Sequence, residues 1–226
     1  MKIKLYILIP VIFLSFFSKN SLGQRIRGAM IAGFNITQVD GDEVFGFRKF
    51  GLNMGAAAII PFGENWSVSI ETIYNQKGSR QGQQYKDIDS LGNKLTGAYK
   101  LKLDYVEVPV LVHYTDRDII TGGIGFSYGR LINIKEWEHE NLIETTTLNG
   151  GPYDKTDINV LVDLRFRLYK RFKFNIRYAY SLAKIRTREF ENDIGETWTS
   201  HQYNNVITFR LVYVFNEKSR AVDRDD

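Results

Sequence analysis

Apolar and polar residues alternate with period two through most of this chain, and that pattern limits its fold more than any other feature. Ile26, Gly28, Met30, Ala32 and Phe34 share one parity, while Arg25, Arg27, Ala29, Ile31 and Gly33 share the other. The alternation returns over residues 50–58, 66–75, 102–114, 120–129, 158–168, 172–181 and 206–215. A helix repeats every 3.6 residues, so a two-residue repeat sustained over about ten residues marks a strand whose two faces meet different surroundings. Eight such segments predict an all-β fold.

The connections alternate too. Residues 61–65, 115–118 and 169–171 are tight turns. Residues 38–49, 78–100, 132–156 and 183–202 form long polar loops with Gly and Asn breakers. Short turns at one end and long loops at the other predict an eight-stranded antiparallel up-and-down barrel.

The contents of the two faces choose the solvent. One face carries Arg27, Glu71, Glu107, Asp163, Arg165, Arg167, Lys173, Arg177 and Arg210; the other is filled by large apolar side chains. A strand of about ten residues, tilted near 45°, spans the hydrocarbon of a bilayer. Only helices and closed barrels cross lipid with every backbone group paired. The sequence is 14% aromatic, with Trp66, Tyr74, Tyr114, Tyr128, Phe172, Tyr178, Tyr180, Tyr213 and Phe215 at or near strand ends on the apolar face. Aromatic girdles at both interfaces are expected of a transmembrane barrel. The competing arrangement is a soluble lipocalin-like barrel or sandwich with the charged face in water.

The N-terminus supports export. Lys2 and Lys4 precede a run of 13 mostly apolar residues from Leu5 to Phe17, and Ser21-Leu22-Gly23 offers small residues before Gln24. This is the plan of a secretory signal peptide over residues 1–23. The run is shorter than the about 20 residues of a transmembrane helix. The predicted organisation is thus a signal at 1–23, an outer-membrane barrel domain at 24–215 and a charged periplasmic C-terminal tail at 216–226. Loss of Lys2, Lys4 and Lys19 lowers the formal charge from +4 to +1. That removes the main support for a nucleic-acid partner. Without cysteine there are no disulfides or thiolate metal sites, so closure of the sheet must hold the fold.

An eight-stranded barrel has an interior just wide enough for its own side chains. Arg27, Glu71, Glu107, Asp163, Arg165, Arg177 and Arg210 are predicted to fill it as one network of bidentate Arg–carboxylate pairs. Such a network reads as a plug replacing a hydrophobic core; the rival reading is a gated ion path. No catalytic group is predicted. His113 falls near the short-turn end of its strand and faces inward, His139 and His201 fall in different loops, and no Ser-His-acid set assembles from spacing alone. Asp40-Gly41-Asp42-Glu43 lacks the remaining ligands of a calcium loop and reads as a solvated turn. No cofactor or metal is expected. Gly122, Gly123 and Gly125 are not followed by the Lys-Ser/Thr of a phosphate loop and read as room for bulky neighbours across the lumen. Pro109 removes a ladder donor in mid-strand, so a bulge or opened pairing is expected there.

Four stretches carry a resemblance to a family. They are residues 33–42 (GFNITQVDGD), 49–55 (KFGLNMG), 71–79 (ETIYNQKGS) and, above all, 103–112 (LDYVEVPVLV). In these the chain resembles the PorT-type outer-membrane β-barrels of Bacteroidota. The resemblance implies a small barrel in the outer membrane, in contact with its lipid. For some members it implies accessory parts in type IX protein secretion and gliding, for others a part in barrel assembly. The expected function is therefore a non-enzymatic structural or accessory subunit of an outer-membrane secretion or assembly machine, with outer-membrane or periplasmic proteins as partners. Trp137 and Trp198, in the third and fourth long loops, are the candidate partner contacts. The alternatives are a narrow channel for small solutes and a lipid-modifying enzyme.

Overall fold

A computed structural model describes residues 26–88, 92, 94–192, 194–215 and 217. The signal expected over residues 1–23 lies outside the described residues, and of the tail at 216–226 only Glu217 is described.

Eight long strands follow one another: β1 (Arg27–Asp40), β2 (Lys49–Pro61), β3 (Trp66–Lys77), β4 (Tyr99–Asp116), β5 (Ile120–Glu138), β6 (Thr156–Tyr169), β7 (Phe172–Ser181) and β8 (Thr197–Val214). Each pairs antiparallel with its neighbours in sequence, and β8 returns to β1 through a register that sets Gly33 opposite Arg210. The sheet is a closed up-and-down barrel, and the ring itself has no edge to protect.

The apolar parity faces outward. Ile124 and Phe126, in the short-turn half of β5, are 67% and 60% exposed. A soluble barrel turns this stripe inward, so its exposure removes the soluble alternative. Rings pair near the short-turn end, with Trp66 and Tyr114 at 5.1 Å and Phe172 and Tyr213 at 4.9 Å between centroids. At the long-loop end Tyr180 stacks on Tyr203 at 6.2 Å. These two belts bound an apolar band.

The strands outrun that band. β4, β5 and β8 have 18, 19 and 18 residues, well beyond the about 10 that a tilted strand needs to cross. Residues 132–138 and 197–202 of the expected loops at 132–156 and 183–202 are therefore ladder, whereas β4 takes only Tyr99 and Lys100 from the one at 78–100. Above the lipid no face need be apolar, so the sequence alternation fades while backbone pairing continues. A bulge adds to this. The β4–β5 register shifts between Asp104 and Tyr105, after which Ile134 and Glu136, rather than odd-numbered residues, face inward.

Pro109 opens the pairing as expected. The β3–β4 ladder runs through Ile70 with Val110 and resumes at Ile73 with Glu107, leaving Glu71 and Thr72 paired with β2 but not with β4. The register does not slip. The bulge of β4 lies elsewhere, at Asp104/Tyr105.

Candidate functional site

The lumen is filled in layers. In the half of the lumen toward the short turns, inside the rim, lies a cluster of ion pairs built from residues of four strands: Glu71 on β3, Asp163 and Arg165 on β6, Arg177 on β7 and Arg210 on β8. Arg177 donates from both terminal nitrogens to Glu71, each at 2.9 Å, and from Nε to Asp163 at 2.6 Å. Arg165 donates from Nε to Asp163 at 2.7 Å and from Nη2 to Glu71 at 3.0 Å. Arg210 lies 3.2 Å from Glu71 and 3.6 Å from Asp163, and its Nε donates to Asn175. All five side chains are buried. Five of the seven residues expected to form one network therefore meet here.

The other two are elsewhere. Glu107 belongs to a second cluster toward the long loops, where Lys77 is wholly buried. Its ammonium meets Glu107 at 2.7 Å, Asp157 at 2.9 Å and Asn159 at 3.1 Å. Asp157 also accepts from Ser181 at 2.6 Å and from Asn204 at 2.8 Å. Arg27 stands at the short-turn mouth, 3.3 Å from Glu217. Parity alone puts Arg27, Glu107 and the five residues of the first cluster on the inner face. Height along the barrel, set by register, separates them, with a thin apolar girdle of Leu111, Leu161, Ala179 and Val206 between the two clusters.

Above the second cluster the lumen closes. Val39, Val44, Leu101, Leu103, Leu131, Ile134 and Ile185 pack with Tyr99, Tyr105 and Tyr153 into a hydrophobic cap. The Glu136 carboxylate enters it paired: Tyr99 donates at 2.7 Å, Thr146 at 2.7 Å and Arg186 at 3.0 Å. Burial beside Glu136 pushes the Tyr153 phenol up to about 12. The segment expected to be a solvated turn is a turn with Gly41 and Glu43 exposed, but Asp42 is drawn in. Its carboxylate is buried, accepts the Val44 N–H at 2.9 Å, and is raised by burial to about 6.

The structure assembles a group that spacing did not reveal. His113 Nε2 lies 3.1 Å from Asp163 and Nδ1 lies 3.5 Å from Ser69 Oγ. His139 and His201 are in separate places, the first accepting from the Thr96 and Gly97 amides, the second beside Thr187. The cross-strand pair Ser67–His113 puts Ser69 next along the inner face, a relation visible only once register is known. Ser69 and His113 are 0% and 1% exposed, and Asp163 is already bound by two arginines. A hydrolase serine needs access to substrate and donors for the oxyanion; this serine faces a filled lumen. Gly123 serves the same packing, since a Cβ there would come within 2.3 Å of the His113 ring. The bulky neighbour it accommodates is on the adjoining strand rather than across the lumen.

Neither tryptophan lies in a free loop. Trp137 is on β5, opposite Lys100 in register, with the Lys100 ammonium 4.6 Å from its ring. It lines a groove at the long-loop end with Arg80, Tyr99, Lys100 and Glu140. Trp198 is on β8 and stacks at 5.8 Å on Phe190 of a short strand, Arg186–Glu191, that extends the β8 ladder. Both aromatics are displayed by sheet.

The family model described as "Outer membrane protein beta-barrel domain" matches residues 23–186. No curated protein matches the sequence. Among solved structures the chain is similar to the attachment invasion locus protein Ail of Yersinia pestis, at 14% identity and a TM-score of 0.46, over 84% of this chain and 99% of that one. It is similar to Neisserial surface protein A at 9% identity and a TM-score of 0.47, over 82% and 96% of the two chains. It is similar to OprG from Pseudomonas aeruginosa at 13% identity and a TM-score of 0.41, over 86% and 98%.

Proposed function

The chain belongs to the outer membrane protein beta-barrel domain family and is a small barrel of the outer membrane; from that premise we propose that it is a non-enzymatic accessory subunit of a protein secretion or assembly machine, of the PorT type. Residues 1–23 direct export, residues 24–215 form the barrel, and the tail from 216 lies with the short turns on the periplasmic side. The observation that carries this reading is the filled lumen. Two ion clusters, an apolar girdle and a hydrophobic cap occupy it in series. A lumen so filled among the described residues favours a scaffold over a conduit, and leaves the ladder above the lipid and the periplasmic rim as working surfaces.

The experiment is mild detergent extraction of a tagged chain from the outer membrane, followed by identification of co-purifying proteins. A stoichiometric membrane or periplasmic partner is expected. Recovery of a bare monomer at native expression level would sink the proposal. Two side tests address the rivals. In planar bilayers the wild-type chain should stay at background conductance. A serine-directed fluorophosphonate should leave Ser69 unlabelled in the folded barrel, because the hydroxyl is enclosed beside His113 and Asp163.

A further inference from the structure

The periplasmic mouth of the barrel already holds a carboxylate. β8 reaches the rim with the Val214 N–H bonded to the Arg171 carbonyl at 3.0 Å and the Phe215 N–H bonded to the Gly28 carbonyl at 2.8 Å. Two residues later the Glu217 side chain is only 4% exposed. Its Oε1 lies 2.7 Å from Lys173 Nζ, 3.2 Å from Arg167 Nη2 and 3.3 Å from Arg27 Nη1. Its Oε2 accepts from Arg167 Nη1 at 3.2 Å, which completes a two-pronged pair.

The three cations come from β1, β6 and β7, so one carboxylate joins strands on both sides of its own. Arg167 is set in place independently: Nε donates to the Asp118 carbonyl and Nη1 to the Lys170 carbonyl, both at 2.6 Å. Three cations converge on the one Glu217 carboxylate, so the point they surround suits a negatively charged group. Beside Glu217 lies a cavity of about 120 Å³ whose charged lining is Arg27, Arg165 and Lys173 on one side of the balance and Glu64 and Asp118 on the other. It adjoins the lower ion cluster through Arg165.

We propose that this mouth is a carboxylate-binding site, occupied by Glu217 as an exchangeable latch, and that it accepts an acidic peptide segment of a second protein when the latch leaves. The forked geometry at Arg167 suits a planar carboxylate. The cavity beside it gives room for the residues that flank the incoming acid. Because Glu217 is tethered, it competes at high effective concentration, so a free peptide binds weakly until the latch is removed.

The test uses the full chain folded in detergent micelles and fluorescein-labelled tetraglutamate as probe, read by fluorescence anisotropy. Heat-modifiable gel migration checks that each variant retains the barrel. E217Q should bind the probe at least tenfold more tightly than wild type. E217D, which keeps the charge on a shorter arm, should fall between them. R167Q introduced into E217Q should return binding to the wild-type level or below, and labelled tetraglutamine should bind none of them. Equal binding by wild type, E217D and E217Q would overturn the proposal, as would tight binding by E217Q that survives loss of Arg167. The assay contains no machine component, so its failure leaves the subunit reading standing, and a missing partner leaves this one standing.

Discussion

The two ion clusters of the lumen solve the same problem in opposite ways. The lower one sets Arg165, Arg177 and Arg210 against Glu71 and Asp163, a formal surplus of one positive charge. The upper one sets Lys77 against Glu107 and Asp157, a surplus of one negative charge. Each balances the other across the girdle of Leu111, Leu161, Ala179 and Val206. The cations also suit their settings. Guanidinium forks let each acid be shared by three arginines, whereas the lysine directs a compact ammonium at three acceptors around it. The lower cluster has redundancy; the upper one hangs on a single side chain.

That difference can be broken by substitution. Lys77→Met should cost the most, about 3–5 kcal/mol, because it leaves two buried carboxylates facing each other without a cation. Urea unfolding in lipid vesicles, followed by tryptophan fluorescence, measures it. Leu101→Ala in the cap should come next, at about 2–4 kcal/mol for a cavity in a closely packed cluster. It should not raise bilayer conductance, since both ion clusters still lie beneath. Arg210→Gln removes the surplus cation and should cost less, roughly 1–2 kcal/mol, with Arg165 and Arg177 retaining both acids. Equal losses for Lys77→Met and Arg210→Gln would remove the distinction between the clusters.

The smallest effect is confined to the rim. Asp42 ordinarily titrates near 3.8 and is raised by burial to about 6 in the fold. A raised carboxyl disfavours the folded arrangement once it ionises, so the first long loop is steadiest below about pH 4 and loosens as pH rises toward 6. Asp42→Asn should raise amide protection in that loop roughly severalfold at pH 7.5 and leave it unchanged at pH 4. Hydrogen exchange reports both arms. A gain at pH 4 as well would assign the effect to something other than ionisation.

Much of this was legible before any coordinates. Period-two parity identified eight strands, their inner face and the charged residues on it. Parity cannot say how high on the barrel a residue sits. Glu71 and Glu107 share a face and differ in layer because the β3–β4 register places Glu107 beyond the Pro109 gap. The same limit concealed Lys77 and Asp157, which sit at the edges of the alternating segments and join only across the lumen. Ser69, His113 and Asp163 were individually inward by parity, and their meeting depends on three strands at once. Glu217 follows the last strand, where alternation has ended, and nothing local marks it as returning beneath the barrel. The strand extensions look like loops in the sequence because the solvent above the lipid no longer imposes a pattern.

Those extensions bear on how a partner could grip this molecule. A partner that meets a mobile loop must first arrest it, and that ordering cost is subtracted from every contact made. Trp137 and Trp198 are mounted on hydrogen-bonded ladder, one against Lys100 and the other against Phe190. Their backbone has already lost its freedom during folding. A surface of this kind can recognise a partner through few contacts, because little ordering cost is set against them.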